Sequence, residues 1–453
     1  MSPTLEIVPE RPDVAAALHG ICERVRDAGG RTFAVGGCVR DAALGLPLRE
    51  LDLEVFGLSP SRLREVLERV HPVERVGRAF AVLKLRGLPI DVSVPRDAGE
   101  WDASAGPEEA AARRDFTINA VAVDLHSGER VDPFGGLADL EARVLRRTSP
   151  RFSEDPLRVL RAMQLVARFD LSVEPDTLAA CRALRGASLA RERVFEEWRK
   201  LLLRGVHPSR GLVFLRDCGW ISDAPELEAL IDCPQDPEWH PEGDVWVHTL
   251  HCLDAFAERR IEDEREDLIV GLAVLCHDLG KPAATAEEAG RITSKGHDLL
   301  GEAPTRTFLA RITEERDLVE AVVPLVRAHL APLQLHGAGA GDAAVRRLAH
   351  RVGRIDRLVR VARADHAGRP PLPAEDFPAG DWLLERARQL AVAAARPVPL
   401  VKGRHLQELG LAPGPAFGPI LDACYEAQIE GFFEDLDGGR AFARAELERR
   451  GVG

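Results

Sequence analysis

Residues 33–57 read FAVGGCVRDAALGLPLRELDLEVFG, a glycine pair and an arginine followed by acids that alternate with apolar residues. The alternation decides the fold at this end of the chain. In a strand, positions two apart share a face, so Glu50, Asp52 and Glu54 project together while Leu51, Leu53 and Val55 turn toward a core. Three like charges on one face repel, and a divalent cation removes that cost. Magnesium, which prefers oxygen ligands and is usually held by a few carboxylates plus substrate phosphates, meets the need. Gly36 and Gly37 permit close backbone approach, the next helix begins with free N–H groups, and Arg40 can grip a phosphate through two parallel bonds. Together these describe a site for a nucleoside triphosphate and metal, suited to phosphoryl or nucleotidyl transfer. A solvated edge strand after a glycine turn would explain each feature singly but not their order.

Outward from this stretch, RTFAV reads as a strand, GGCVRDAALG as a turn entering a helix, and SPSRLREVLERVH as a helix capped by Ser59 or Ser61. AFAVLKLRGLPIDVSV reads as a hairpin turning at Gly87 to Pro89. It carries Asp91, either a third metal carboxylate or a structural acceptor. From about Ser153 onward strand signals nearly vanish. The expected class is α+β, a small mixed-sheet head followed by a largely all-α remainder. Joints are expected near Arg146 to Ser153, in CPQDPEWHPEGD (233–244) and in AARPVPL (394–400), giving segments 1–150, 151–235, 236–385 and 386–453.

At 453 residues, with 45% hydrophobic and 29% charged, the chain is globular and long enough for several domains. The net charge of -13 argues against nucleic acid coating the whole surface and is compatible with a local basic channel. Eight cysteines without a CxxC pair point to reduced thiols. No run of about 18 apolar residues is evident and the first residues lack a basic stretch followed by an apolar one, so the expectation is a cytoplasmic protein without membrane contact.

GGCVRD followed by RELDLEVFG resembles the head of the class II nucleotidyltransferases, the CCA-adding tRNA nucleotidyltransferases and bacterial poly(A) polymerases. The likeness continues through ARRDFTINAVAVD (112–124), DPFGGLADLEARVLR and FSEDPLRVLRAMQLVARF (152–169). The resemblance implies that Gly36, Gly37 and Arg40 contact the triphosphate. It implies that Glu50 and Asp52 are the catalytic pair binding Mg2+; the family usually has two aspartates, so Glu54 could share the role of Glu50. Arg114 and Asp115 would hold ribose and phosphates, with Asn119 and Arg161 also at the nucleotide, and Asp155 and Arg158 would pair with the base edge. Spacing supports the last pair, since residues three apart share a helix face, although an ordinary ion pair has the same spacing. Residues 151–235 are then a neck and body for base recognition. The implied partners are CTP, ATP and the tRNA 3′ end, with no obligatory protein partner. DAGEWDASAGPEEAAA (97–112) is shorter than the flexible loop of full CCA-adding members, so a CC-adding enzyme stays open.

A second constellation lies in DVWVHTLHCLDAF and GLAVLCHDLGKP. His248, the adjacent pair His277–Asp278, then His297, His329 and Asp365 are ligand types for one or two metal ions. His240 and His251 read as ordinary imidazoles, and Lys281 either neutralises phosphate or caps a helix. The region 240–370 resembles the HD phosphohydrolase superfamily. That resemblance implies a divalent transition metal (Ni, Mn, Co or Fe) and 2′,3′-cyclic phosphodiesterase or phosphatase activity on RNA ends or nucleotides. In the tail, Lys402 and Arg404 beside a proline-glycine loop suit contact with an RNA backbone. Three other readings remain open: a poly(A) polymerase, a protein that is mainly an HD phosphohydrolase with a weakened head, and a non-catalytic RNA-binding module.

Overall fold

The computed structural model describes residues 5–76, 82–97, 100–102 and 104–451. Residues 79–81 of the expected hairpin, and 98, 99 and 103 of the short loop, lie outside that set. The chain divides between Leu189 and Ala190 into two compact units.

The first unit is built on a seven-stranded mixed sheet. Its strands are β1 (Arg31–Val35), β2 (Leu51–Phe56), β3 (Val73–Val76), β4 (Val82–Leu85) and β5 (Ile90–Ser93), followed, after a short ribbon of β6 (Arg96–Asp97) and β7 (Glu100–Trp101), by β8 (Ala122–Asp124) and β9 (Arg130–Val131). The order is β3-β4-β5-β2-β1-β8-β9. As the alternation required, Leu51, Leu53 and Val55 are buried. They share one core with Val14, Leu18, Ile21 and Val25 of helix Pro12–Asp27 and with Leu63, Val66 and Leu67 of helix Pro60–Glu68. Ser59 caps the latter helix by accepting from the Arg62 amide; Ser61 lies inside it. A smaller apolar cluster contains Phe33 and Phe56, whose rings meet edge to face at 5.2 Å.

β2 runs parallel to β5, and the register sets Asp52 beside Asp91. That pairing joins sequence positions 39 apart. The boundary expected at residue 150 falls inside this unit. The cause is helix Arg158–Phe169, which is tied to the head: Arg161 Nε donates to Asp115 (2.6 Å) and Arg168 to Asp41 (2.9 Å).

The second unit is almost entirely helical; the hairpin Ala286–Glu288/Arg291–Thr293 is a strand pair the sequence reading missed. Helices Val245–Ala257, Glu264–Cys276, Arg316–Ala328 and Ile355–Ala367 pack around one another. Boundaries expected at 235 and 385 fall within this unit. Residues 401–447 have a cluster of their own, with Leu406, Ile420, Phe433 and Ala443 buried, and helix Phe417–Glu430 packs on helix Asp342–Val352. The stretch Arg316–Gly337, interrupted by Arg, Asp, Glu and His and so not a continuous apolar run, is long and apolar enough to cross a membrane by length and average composition alone. Leu318, Val322, Val323, Leu325 and Val326 bury its apolar face in the protein core instead. All eight cysteines are free, and all but Cys22 are buried.

Candidate active sites

The head site grows from the turn between β1 and helix Gly37–Ala43. Gly36 there has φ 72° and ψ -132°, a conformation that an L-residue rarely adopts. A Cβ at this position would meet Arg114 Nη1 at 3.0 Å and Asp52 Oδ2 at 3.7 Å, so the missing side chain lets the turn approach both charges. Arg114 donates to Glu54 (3.1 Å). Asp91 is bridged by Lys84 at 3.0 Å. Glu50 is exposed and directly precedes β2.

Asp52 opens to solvent on one side, yet its carboxyl is raised above the ordinary range. Crowding by protein, which removes water from the charge, is the main cause; Arg114 opposes it, and the nearby Asp91 and Glu50 add repulsion. Such a group is relieved by a cation. Oxygen donors of this kind fit a hard divalent ion such as magnesium.

Behind this turn lies a buried network. Arg40 is 5% exposed and gives Nε and Nη2 to Asp41, Nη1 to Asn119 (2.5 Å) and its face to the Phe169 ring (4.5 Å). Asn119 donates to Asp115, and Asp115 also accepts from Arg161 and from the Phe116 amide. Burial pushes the Asp115 carboxyl upward, but Arg161 and these hydrogen bonds outweigh it and hold it below the usual range. Arg40, expected at the triphosphate, has its guanidinium bound to Asp41 and Asn119 in this structure.

The second site is a histidine cluster. His248 sits in helix Val245–Ala257, His277 and Asp278 close helix Glu264–Cys276, His297 opens helix His297–Leu300, His329 follows helix Arg316–Ala328 and Asp365 lies in helix Ile355–Ala367. His277, His297 and His329 each pair Nδ1 at 2.7 Å with the backbone carbonyl three residues back. Their Nε2 atoms are thereby free to act as acceptors. His248 Nδ1 contacts Glu242 at 2.7 Å. The four Nε2 atoms converge: His277 to His248 at 3.4 Å and His297 to His329 at 3.2 Å. Asp278 lies between the two pairs, 3.2 Å from His277 and 3.3 Å from His297, and Asp365 is 3.2 Å from His248.

Ring nitrogens and carboxylates this close are held together only by shared protons or by cations that replace them. Both Asp278 oxygens are buried without a well-formed hydrogen bond, their neighbours being histidines and the Lys281 ammonium at 2.8 Å. Burial alone would make His277 less basic, but Asp278 pushes it up to about 10, and Asp278 falls well below the usual range chiefly through His277 and Lys281, against burial. The donor set fits two divalent ions, one near His248, His277 and Asp365 and one near Asp278, His297 and His329. Gly280 brings the segments together, since a Cβ on it would lie 2.0 Å from the His297 carbonyl.

Comparison with known proteins agrees with the head. The poly A polymerase head domain model matches residues 32–146, and the model for the probable RNA and SrmB-binding site of polymerase A matches residues 170–230. The multifunctional CCA protein of Nitrosospira multiformis is 35% identical over 393 residues, covering 81% of this chain and 89% of that protein. The one from Stenotrophomonas maltophilia is 35% identical over 425 residues, covering 86% and 97%. The chain belongs to the class II CCA-adding tRNA nucleotidyltransferase family. Its fold is also that of the Bacillus stearothermophilus CCA-adding enzyme crystallised with CTP, with TM-score 0.67 and 23% identity over 97% of this chain and 99% of that one.

In this nucleotidyltransferase, Gly36, Asp52, Glu54, Asp91 and Arg114 come together, and Arg40, Asp115, Asn119 and Arg161 interlock behind them. The helical argument for Asp155 and Arg158 does not hold. Helix Arg158–Phe169 begins at Arg158, and Asp155 lies outside it in extended conformation. Arg158 donates to the carbonyls of Arg151 (2.8 Å) and Arg113 (2.6 Å), and Asp155 Oδ1 accepts from the Leu157 amide. Lys402 and Arg404 are exposed at the start of helix Gly403–Glu408. Sequence reasoning missed Glu242, which lies in the presumed joint and also holds His240. It also missed Cys252, whose Sγ is 3.3 Å from His248 Nε2; the one-turn spacing from His248 was the available signal.

Proposed function

We propose that this enzyme extends tRNA 3′ ends with cytidine from CTP, and with adenosine from ATP, using magnesium held by Asp52 and Glu50 with Asp91 alongside. The observation that carries this is the β2–β5 register, which puts Asp52 beside Asp91 at the edge of the Gly36 turn. Bound there, divalent ions supply activation of the RNA 3′-hydroxyl and stabilisation of the leaving pyrophosphate. Arg114 neutralises phosphate oxygens, and Asp115, Asn119, Arg161 and Arg40 hold the wall behind them rigid. Asp155 accepts from the exocyclic amine of the base while Arg158, fixed by two carbonyls, donates to its ring edge. Lys402 and Arg404 meet the RNA backbone. The test is incorporation of each labelled nucleotide into tRNA lacking its terminal CCA. Addition of C and A supports the full reading, C alone makes it a CC-adding enzyme, A alone on any RNA makes it a poly(A) polymerase, and no incorporation refutes it.

The convergence of six histidine and aspartate side chains supports a second activity, hydrolysis of 2′,3′-cyclic phosphodiesters or terminal phosphates at RNA ends by a divalent transition metal centre (Ni, Mn, Co or Fe). His248, His277, Asp278, His297, His329 and Asp365 hold the metal, and Lys281 faces the phosphate. His277→Ala removes hydrolysis and spares nucleotide addition if the two sites are separate.

A further inference from the structure

We propose that the cleft beside the histidine cluster is a nucleotide subsite, in which Trp239 stacks on the base while Arg369 and Lys281 face the phosphate. The proposal rests on the hydrolase reading above. The cleft is about 240 Å³, and it is bordered by Asp278, His297 and His329 together with Trp239, Leu333 and Arg369. That is small for a ligand site and suits one nucleotide end, not a longer stretch of RNA.

Trp239 is 57% exposed, and its indole makes no ring contact among the described residues. Its loop, however, is fastened to the cluster on both sides. Before it, Gln235 accepts from Lys281 (2.6 Å), and Asp236 and Glu238 bind Arg291 at 3.0 and 2.8 Å. After it, His240 and His248 share Glu242. The loop that carries the indole is therefore tied to Lys281 and Arg291 on one side and, through Glu242, to His248 on the other. Arg369 has His366 as its sole recorded partner among the described residues, so its charge is not cancelled by a carboxylate. An aromatic face, apolar neighbours, the charge of Arg369 and the Lys281 ammonium, which lines the wall while bound to Asp278, match a ligand with a base at one end and a phosphate at the other. A phosphoester lacking a base leaves Trp239 unused.

The experiment uses the full chain loaded with Mn2+ and compares cytidine 2′,3′-cyclic phosphate with ribose 2′,3′-cyclic phosphate. Trp239→Ala is expected to lower the ratio of kcat/KM for the cytidine over the ribose compound by roughly tenfold to a hundredfold, mostly through KM, with Trp239→Phe retaining most of it. Arg369→Gln weakens both compounds alike, since each carries the phosphate. An unchanged ratio in Trp239→Ala, or an effect of Arg369→Gln on one compound only, overturns the proposal. In parallel, tryptophan fluorescence is followed while cytidine 3′-phosphate is added. Quenching that is lost in Trp239→Phe supports the subsite, and quenching that persists in full overturns it. If the wild type hydrolyses neither compound, the hydrolase reading falls, and the fluorescence titration still decides the subsite.

Discussion

Gly280→Ala tests whether backbone contact at one glycine assembles the histidine cluster. A methyl group there would lie 2.0 Å from the His297 carbonyl oxygen and 2.5 Å from the Gly301 amide nitrogen. Both are backbone atoms, so no side-chain rotation can relieve the clash. Real Cβ contacts essentially never fall under 3.0 Å, which obliges the segments carrying Asp278 and His297 to part by about 1 Å. Metal–ligand distances tolerate about 0.2 Å, so His297, now 3.3 Å from Asp278 and 3.2 Å from His329, no longer reaches a shared ion. The strain itself costs about 1–3 kcal/mol, small enough for the fold to persist. Expected results are a loss of metal affinity of about tenfold to a hundredfold, read as metal content after dialysis, a parallel loss of cyclic phosphate hydrolysis, and CTP incorporation close to wild type. Wild-type metal content and hydrolysis in this variant would refute the role of the glycine. Loss of CTP incorporation to the same degree would refute the separation of the two sites.

Asp52→Asn abolishes CTP incorporation, yet without magnesium it melts no lower than the wild type at pH 7. The raised Asp52 carboxyl makes its ionised form a cost to the folded state, absent in acid and growing as pH climbs from about 4 through the raised value. The difference in Tm therefore closes toward pH 4, and a lower Tm for the variant at pH 7 would count against this account. Asp115→Ala leaves Arg161 and Asn119 without their shared acceptor and destabilises the first unit by about 3 kcal/mol in urea titration, the lower end for a buried pair because Arg161 keeps 36% of its side chain exposed. Because the Asp115 carboxyl is lowered, its contribution is present above about pH 4 and is lost as pH falls below, so variant and wild type converge in acid. Arg158→Ala removes the two bonds that fix the guanidinium to the carbonyls of Arg151 and Arg113; incorporation of C and A both drop and discrimination against U and G weakens, as competition among the four nucleotides measures.

The strand that carries Asp52 was legible because its signal is local. A period of two fixes which of Leu51, Asp52, Leu53, Glu54 and Val55 face the core, and no distant contact is needed to read it. The β4–β5 hairpin and the turn at Gly36 followed from equally local cues, and the His277–Asp278 pair stood out by adjacency. Residues farther apart were another matter. Asp155 and Arg158 had helical spacing, but the chain at Asp155 is extended, because its carboxylate caps the turn that starts the helix and Arg158 is drawn to backbone carbonyls. The joint at 233–244 was read as a linker from its prolines and acids, and folding makes it the support of His248 and the mount of Trp239.

What the sequence by itself determined is therefore the family of the head and the chemical types available at each site, since both rest on short motifs with fixed local geometry. Only the tertiary structure decided which side chains meet: Asp52 with Asp91 by strand register, Arg40 with Asn119 instead of open solvent, and His248 with Asp365 across 117 residues. The reason is physical. Side-chain periodicity is set by neighbouring peptide units, whereas the partner of a buried charge is set by helix and strand packing over the whole unit, which no short window of sequence contains.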